Sequence, residues 1–393
     1  MNILFVIPYV PSRIRVRPFH IIKELSKRHS VTVIALGEVD GLETTAAEEL
    51  RSFVHALRII PHSKLRGYSQ SLMALPTSTP MCAAFCRSTL MSNEVASQLS
   101  LNDFDLIHIE HLRGAHFIPK NLGVPVVFDS VDCLAGLFRQ MAKRKKNPIG
   151  KLVMLEESWK LKRYEPKMMQ KFDKIVITSD SERDEVLLLD ASLPVEVIPN
   201  GVDVEYFAPS SVQKHQGRIV FSGKMSYEPN AEAVIWFATN VFPVLKSRNP
   251  SVEFLVVGSN PPQQVKELAD TQGISVTGYV DDIRPYLESS VVAVVPMQIA
   301  VGIQNKILEA MALELPVVAT PIATRPFGPG FSGIIEAETA DETAEEVLRL
   351  LNNPQAAADI GRKGREEVLR DFSWQRSVNE LEKIYEELLA HHP

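Results

Sequence analysis

At 393 residues the chain is too long for one ordinary hydrophobic core, so its length predicts two domains. The hydrophobic content of 45% and the charged content of 23% are typical of a soluble globular protein, and the formal net charge of −6 argues against a nucleic-acid partner. The three cysteines form no metal-ligand pattern, which favours a reducing compartment. With no basic leader before the first strand and no run long enough to cross a bilayer, we expect a cytoplasmic protein, either free or resting on the inner face of a membrane.

The first half of the chain alternates between short apolar runs and helical patterns. The apolar runs predict strands at 2–7, 31–36, 53–60, 105–109, 124–129, 174–178 and 195–198, and helical spacing predicts helices at 17–29 and 179–189 and within 69–100. This order is typical of a Rossmann-like domain with a parallel sheet. The first loop contains no G-x-G-x-x-G run, so a dinucleotide site there is disfavoured.

The loop after the first predicted strand carries three arginines, Arg13, Arg15 and Arg17. Guanidinium groups at the carboxyl end of a strand are suited to binding an anion or an acceptor that carries one. A solvated basic edge is the alternative interpretation of the same pattern.

Polar residues also follow two later strands, with His111 after one and Asp129 and Asp132 at the end of the next. Parallel strands end at the same edge of a sheet, so these side chains are candidates to converge on an acceptor hydroxyl, with His111 in a catalytic role. They are equally compatible with loop and capping roles, and Asp132 is placed to cap a helix that begins near Leu134.

A basic stretch from Arg139 to Lys174 contrasts with the acidic balance of the whole chain. It holds twelve lysines and arginines against four acids, interleaved with Leu152, Leu155, Trp159, Met168 and Met169. A basic, partly amphipathic helical segment of this kind indicates contact with an anionic membrane surface, and a solvated helix face is the alternative.

The second half begins afresh after a turn-rich junction at 199–203, where we place the domain boundary. Strands are predicted at 218–222, 252–258, 274–277, 291–296, 316–319 and 333–336, with helices at 230–245, 262–271, 304–313, 341–351 and 354–370. This is a second Rossmann-like pattern. A last helix, 373–389, has Trp374, Leu381 and Tyr385 spaced to pack on a core that need not be that of the second domain.

The unit 291–320 of the second half contains the strongest candidate site. Gly302 lets backbone approach a ligand closely, and the N-terminus of the following helix presents free N–H groups and a partial positive charge. Lys306 adds a full positive charge, and Glu309 lies one turn beyond Asn305. A phosphate at the helix tip with a ribose beside Glu309 would use both charges; a buried helix with a Lys306–Glu309 ion pair is the alternative.

Several short stretches of the chain carry a family resemblance. They are PNGVD at 199–203, FSGKM at 221–225, GYV at 278–280, KILEAMA at 306–312 with PVV at 316–318, and FSW at 372–374. As an ordered set they resemble the glycosyltransferases group 1 family of retaining enzymes, over nearly the whole chain. The resemblance implies the α/β GT-B fold, in which two Rossmann-like domains face a central cleft and a C-terminal helix crosses back to the first domain. It implies an N-terminal acceptor domain at 1–203, completed by the helix at 373–393, and a C-terminal nucleotide-sugar domain at 204–372.

The resemblance also implies roles for individual residues. Glu309 matches the second glutamate of the family's Glu-x7-Glu signature, which holds the nucleotide ribose, and the first glutamate falls at Val301. The run Gly302, Ile303, Gln304, Asn305 and Lys306 is similar to a Gly-Thr-x-x-Lys run of other members. Lys224, beside Gly223, matches a basic residue that contacts the diphosphate, a second such residue would fall near Pro229, and Val280 is where the base would meet backbone.

The function implied is transfer of a sugar, with retention, from a UDP- or GDP-linked donor to a cell-envelope polysaccharide or glycolipid. Lys224, Lys306 and the helix N-terminus would stabilise the leaving diphosphate, so no metal and no cofactor is expected. Val301 and Pro229 leave room for an alternative, a non-catalytic protein that binds a nucleotide-sugar or a glycan on the same fold. A GT-B epimerase acting on the nucleotide-sugar itself is a third possibility.

Overall fold

The computed structural model describes residues 1–37, 42–119, 122–145 and 147–391. The chain forms two compact units: Met1–Pro199 together with the helix that begins at Trp374 make the first, and Asn200–Ser373 make the second. Of the basic stretch predicted to meet a membrane, Lys146 lies outside the described residues.

In its described residues, the first unit contains seven strands and the helices that connect them. The strands are β1 (Asn2–Ile7), β2 (Ser30–Gly37), β3 (Ala56–Pro61), β4 (Leu106–Glu110), β5 (Val126–Val131), β6 (Lys174–Ile177) and β7 (Val195–Val197). The helices are α1 (Val16–Leu25), α2 (Leu42–Arg51), α3 (Lys64–Ala74), α4 (Met81–Phe85), α5 (Thr89–Leu101), α6 (Leu134–Arg144), α7 (Pro148–Met169) and α8 (Asp180–Leu187).

All strands of this sheet are parallel, in the order β3-β2-β1-β4-β5-β6-β7. The central strands are buried along nearly their whole length and are mostly aliphatic, because helices cover both faces of the sheet, as the aliphatic runs predicted. The connection reverses direction between β1 and β4, the point at which doubly wound sheets bind ligands.

The second unit has six strands: β8 (Arg218–Ser222), β9 (Glu253–Val257), β10 (Ile274–Val276), β11 (Val292–Val295), β12 (Val317–Ala319) and β13 (Ile334–Glu336). Its helices are α9 (Glu228–Asn240), α10 (Phe242–Arg248), α11 (Gln263–Lys266), α12 (Arg284–Glu288), α13 (Asn305–Ala312), α14 (Pro321–Thr324), α15 (Ala340–Asn352) and α16 (Pro354–Asp371). The helix predicted at 262–271 is two short pieces, α11 and the 3₁₀ helix Glu267–Asp270.

The second sheet is also parallel, in the order β10-β9-β8-β11-β12-β13. Its reversal point lies between β8 and β11. The prediction of two Rossmann-like α/β domains is therefore confirmed.

The last helix, α17 (Trp374–His391), belongs to the first unit. Trp374 and Leu381 are buried in the core of that unit, and the hydroxyl of Tyr385 lies 2.6 Å from Nδ1 of the buried His108. The Trp374 indole stacks on the His20 ring at a centroid distance of 5.2 Å. The spacing that predicted a packing helix thus describes one that completes the first core.

The first crossing between the units falls slightly earlier than the expected boundary at 203. Residues Asn200–Asp203 belong to the second unit because the Val202 N–H donates to the Phe372 carbonyl at 2.8 Å, and the Val202 side chain is buried in the second core. The return crossing falls after Ser373.

Candidate active site

The reversal point of the second sheet gathers the predicted donor residues. The loop after β8 carries Gly223 and Lys224, and the loop after β11 leads into α13 with Lys306 in its first turn. Both loops leave the carboxyl ends of adjacent strands, so they border one crevice of this unit.

Two glycines bring backbone segments into contact beside this crevice. Gly223 and Gly258 have φ angles of +154° and +152°, and the Gly223 N–H donates to the Val257 carbonyl at 3.0 Å. A Cβ at Gly258 would lie 1.8 Å from the Gly223 carbonyl oxygen, so no other residue fits there. The sequence analysis placed Gly258 at the end of a predicted strand but gave it no role in the site; a glycine that closes an apolar run was the available signal.

Lys306 is held at the centre of this group. Its Nζ donates to Oδ1 of Asn230 at 2.6 Å and lies 4.7 Å from the centre of the Phe221 ring. Asn230 in turn donates to the Lys224 carbonyl at 3.0 Å. Burial lowers the pKa of Lys306 to about 8, although the nearby Glu309 partly opposes this. Asn230 thus orients the lysine, and it stands directly after Pro229, where the resemblance implied a second basic residue.

The N-terminus of α13 has no side-chain cap. Its N-cap residue, Gln304, makes no capping hydrogen bond with its side chain and donates to the Val301 carbonyl at 3.0 Å. Gly302 has a φ of +57°, which turns the loop into the helix. Asn305 accepts a hydrogen bond from the Asn200 side chain at 3.0 Å. The first-turn N–H groups and Lys306 therefore form a positive site of the kind that binds phosphate.

Glu309 lies one turn after Lys306 on the same helix and is half-buried. Burial raises its pKa to about 7, and the neighbouring Lys306 acts against this rise. Two other residues were predicted to bind the donor. Ile303 is buried in the core of the second unit, and the half-buried Val280 side chain packs against that core. These two residues are therefore able to meet a ligand chiefly through backbone.

In the first unit, the reversal point between β1 and β4 carries a pair that sequence reasoning missed. Tyr9 follows β1 and donates a short hydrogen bond from its hydroxyl to Oε1 of Glu110, the last residue of β4. Glu110 is buried, and burial raises its pKa to about 8. Its other oxygen has no hydrogen-bond partner among the described residues. A glutamate closing an apolar strand was the available signal.

His111 occupies a conformation with a φ of +65° immediately after this glutamate. Its Nδ1 accepts a hydrogen bond from the Arg113 N–H at 3.2 Å, so a neutral ring carries its proton on Nε2. Burial, helped by Arg113, lowers the pKa of His111 to about 3. The arrangement makes His111 a neutral hydrogen-bond donor.

The structure gives Arg17 and Asp129 a different role from the acceptor binding that the sequence suggested. Arg17 is buried and donates from Nε to Oδ2 of Asp129 at 2.7 Å and from Nη1 to the Ile198 carbonyl at 2.9 Å. Asp129 is fully buried, and its Oδ1 accepts from the Val131 N–H at 3.1 Å. Neither a solvated edge nor an open anion site fits these contacts, because both partners face the interior.

The other two arginines of the loop remain at the surface. Arg13 pairs with Glu49 at 2.7 Å, with about half of its side chain exposed. Arg15 lies over the Tyr9 ring at 4.6 Å and donates to the Val10 carbonyl at 3.1 Å. Arg15 is thus the arginine that the structure places beside the Tyr9–Glu110 pair.

Asp132 does not cap the following helix. The N-cap of α6 is Cys133, and the N–H groups of Leu134 and Ala135 donate to the Glu165 carboxylate at 2.9 and 2.8 Å. Burial, with Glu182 nearby, raises the pKa of Asp132 to about 7. A carboxylate 30 residues away in sequence thus does the capping that we expected of a local one.

The second doubly wound unit has a lysine-lined helix tip at its reversal point, which is the place where sheets of this kind can bind phosphate groups. The family description "Glycosyl transferases group 1" matches residues 216–353, and "Glycosyltransferase Family 4" matches residues 16–206. Together these matches span most of the chain. The chain belongs to the group 1 glycosyltransferases.

Solved structures with a similar fold cover almost the whole chain. Sucrose-phosphate synthase from Thermosynechococcus elongatus superposes with a TM-score of 0.74 at 15% identity, over 99% of each chain. The Anabaena protein HepE, solved in complex with UDP-glucose, superposes with a TM-score of 0.69 at 14% identity, over 98% of this chain and 100% of that one. These matches establish the GT-B fold.

Curated relatives match part of the chain. The D-inositol 3-phosphate glycosyltransferase of Saccharomonospora viridis is 28% identical over 258 residues, 58% of each chain. The phosphatidyl-myo-inositol mannosyltransferase of Mycolicibacterium smegmatis is 29% identical over 200 residues, 48% of this chain and 51% of that one. The chain thus spans a little more than half the length of these relatives.

Proposed function

We propose that this protein transfers a sugar from a UDP- or GDP-linked donor to a cell-envelope polysaccharide or glycolipid, with retention of configuration. The observation that carries the proposal is the Lys306 ammonium, held by Asn230 in the first turn of α13, whose N-terminus has no side-chain cap. Such a site matches the diphosphate of a nucleotide-sugar in both charge and position.

The chemistry requires the leaving diphosphate to be stabilised as negative charge develops on it. Lys306, the first-turn N–H groups of α13 and the exposed Lys224 would supply that stabilisation in a fixed arrangement. Glu309 is placed to accept hydrogen bonds from the ribose hydroxyls. This set of positive groups does for the diphosphate what a divalent cation does elsewhere, so we propose catalysis without a metal.

The acceptor side of the proposal rests on the first unit. Glu110 ends β4 at the reversal point of that sheet, and one of its oxygens has no hydrogen-bond partner in the described part of the chain. His111, a neutral donor through Nε2, follows it directly. Sugar hydroxyls are matched by such a donor and acceptor pair. Arg15 beside Tyr9 would favour an acceptor that carries an anionic group.

The comparisons support the substrate classes of the proposal. HepE was solved with UDP-glucose, and the two curated relatives are named for transfer to inositol phosphate and to phosphatidyl-myo-inositol. For this chain the donor base, the sugar and the acceptor are proposals that rest on the site. We place the reaction in the cytoplasm, at the inner face of the membrane when the acceptor is lipid-linked.

The experiment that tests this proposal compares Lys306→Ala and Glu309→Gln with a control variant, Lys266→Ala, which removes an exposed lysine of the same unit. Calorimetry with UDP-glucose and GDP-mannose measures donor binding, and product release in the presence of glycan acceptors measures transfer. We expect a loss of about 10²- to 10³-fold in kcat/KM for Lys306→Ala and little change for the control. Full turnover by both site variants would refute the assignment.

A second function, binding of a nucleotide-sugar without transfer, is favoured by two observations. Val301 is buried where the family's first glutamate falls, and Pro229 takes the place of a second basic residue. In the same experiment a binder gives calorimetric affinity with no turnover for any acceptor. A donor that changes configuration with no acceptor present would indicate an epimerase.

A further inference from the structure

The outward face of α7 carries large apolar side chains in a row. Leu152, Leu155 and Trp159 are spaced by three and four residues and are 68%, 46% and 56% exposed. Ile149 extends the row by one turn at 73% exposure. A contiguous exposed apolar stripe on a helix marks an interaction surface, because isolated exposed residues do not repeat at helical spacing.

Helix α3 shows a second stripe of the same kind. Leu65, Tyr68 and Leu72 are again spaced by three and four residues and are 82%, 64% and 67% exposed, with Met73 beside them at 74%. The opposite side of α3 is packed, since Gly67 lies against the Phe85 ring so closely that a Cβ would come within 2.8 Å of it. Sequence reasoning did not single out this helix.

The two helices are tied to each other within the first unit. Nζ of Lys160, in the middle of α7, donates to the carbonyl oxygens of Ala74 and Leu75 at the end of α3, at 3.2 and 2.7 Å. Glu157 of α7 accepts hydrogen bonds from the first N–H groups of α4, which follows α3 in the chain. The two stripes therefore belong to neighbouring, rigidly connected helices.

Positive charge borders both stripes. The exposed basic residues are Lys64 and Arg66 on α3, and Lys151, Lys162, Arg163 and Lys167 on α7. No aspartate or glutamate occurs between residues 52 and 93. Of the acids of α7, Glu157 and Glu165 are buried and Glu156 pairs with Lys160 at 2.7 Å. The outward charge of this region is thus positive on a chain whose net charge is −6.

Part of the earlier expectation for the basic stretch is corrected by these positions. Met168 and Met169 are buried in the first unit, and Lys160 is buried between its partners, so none of the three faces outward. The Arg163 guanidinium lies over the Trp159 ring, 3.8 Å from its centre, and covers part of one face of the exposed indole. The exposed apolar and basic surface therefore includes only part of the stretch 139–174, namely the outward face of α7, and it extends onto α3.

We infer that the outward faces of α3 and α7 form one docking surface that lies on an anionic lipid membrane. Trp159 and Tyr68 suit the headgroup level, the leucines insert below it, and the bordering lysines and arginines meet lipid phosphates. Charge complementarity selects this occupant, because an apolar stripe bordered by cations matches an anionic bilayer surface. This surface would hold the enzyme at the membrane that contains a lipid-linked acceptor, so the inference rests on that part of the proposed function. No helix in the described part of the chain is both long and apolar enough to span a bilayer.

The test is sedimentation of the full chain with vesicles of phosphatidylglycerol and phosphatidylcholine, compared with vesicles of phosphatidylcholine alone. We expect binding to the mixed vesicles only, weakening as salt is raised. Lys151→Gln with Lys162→Gln should lower the partition coefficient about 25-fold, from about fivefold for each charge. Leu72→Glu and Trp159→Glu should each weaken binding at least tenfold.

A matched control is Leu188→Glu, since Leu188 is 80% exposed in the same unit but lies in neither stripe. Circular dichroism confirms that each variant is folded. Trp159→Phe should keep binding while losing the blue shift of tryptophan fluorescence that mixed vesicles produce in the parent. The inference would be overturned if Leu188→Glu weakened vesicle binding as much as Leu72→Glu and Trp159→Glu do, or if the parent protein did not bind the mixed vesicles.

Two further measurements distinguish a lipid membrane from a second copy of the chain, and distinguish failure of the docking surface from failure of the proposed transfer reaction. A parent that is dimeric by analytical ultracentrifugation and becomes monomeric through Leu72→Glu and Trp159→Glu would assign the surface to a second copy and overturn the lipid assignment. Transfer to a water-soluble acceptor is measured in parallel. Vesicle binding by Lys306→Ala at the parent's affinity supports the surface even where transfer is lost.

Discussion

Replacing Arg17 with methionine tests whether this arginine holds the first unit together or binds an anion. Methionine keeps much of the length of the side chain but removes the charge and its donors. Asp129 would be left as a buried carboxylate without its ion-pair partner at 2.7 Å, and the Ile198 carbonyl would lose a donor at 2.9 Å.

The expected cost follows from the burial of the pair. Arg17 is 4% exposed and Asp129 0%, and breaking a buried ion pair by removing one partner costs about 3–5 kcal/mol. A loss of this size lowers the melting temperature of a unit of this length by roughly 10 °C. Arg13→Met is the matched control, since an exposed ion pair such as Arg13–Glu49 contributes about 0–1 kcal/mol.

The pH dependence supplies a second readout for the same pair. Burial alone would raise the pKa of Asp129, but Arg17 and His108 outweigh it, and the pKa lies below its ordinary value. A carboxyl with a lowered folded-state pKa stabilises the fold above its unfolded pKa of about 3.9, and this stability is lost as the pH falls through the folded-state pKa. In Arg17→Met, acid unfolding should therefore begin at a higher pH than in the parent.

The assay is urea unfolding of both variants, followed by circular dichroism at several pH values, with transfer kinetics measured on the folded enzyme. A double variant, Arg17→Met with Asp129→Asn, should recover part of the loss because the unpaired charge is gone. Parent-like stability in Arg17→Met together with a raised KM for an anionic acceptor would refute the structural role and restore the anion-binding one.

Three further predictions concern other sites. With the pKa of Lys306 lowered to about 8, the protonated form that binds diphosphate is lost above that pH, so donor affinity should fall there, and Lys306→Arg should abolish the fall. Gly258→Ala places a Cβ 1.8 Å from a neighbouring carbonyl oxygen and should weaken calorimetric donor binding at least tenfold, whereas Gly278→Ala, at a φ of +72° with open space, should cost only about 1–2 kcal/mol of stability and leave binding intact. Tyr385→Phe removes the hydroxyl 2.6 Å from the buried His108 ring and should lower the free energy of unfolding by about 1–3 kcal/mol in urea titrations, without changing donor affinity.

The strands of both sheets were predictable because of how parallel sheets are built. A strand covered on both faces needs aliphatic residues at nearly every position, as in the run from Leu4 to Ile7, and such runs are visible in a single sequence. Within the second unit, the position of Lys306 and Glu309 one turn apart on α13 could also be predicted from helical spacing alone. These predictions depend only on neighbours within a few residues.

What escaped prediction depends on contacts between distant parts of the chain. Asn230 meets Lys306 across 76 residues, and Tyr9 meets Glu110 across 101. In the sequence Arg17 looks like one of three arginines in a loop. Its burial depends on an ion pair with Asp129, which lies 112 residues later in the chain. Periodicity carries no information about such pairs, because they are made by the order of the strands.

The place of α17 in the first unit has a consequence for biosynthesis. Residues 200–373 form the second unit, which is inserted in sequence between two parts of the first unit. The helix α17, which completes the core of the first unit, is therefore synthesised only after the second unit. Until Trp374 and Tyr385 have been synthesised, His20 and His108 lack the side chains that they contact, and the core of the first unit stays incomplete while residues 200–373 are made. Pulse-labelled nascent chains should therefore show protease resistance in the inserted module before the domain that precedes it.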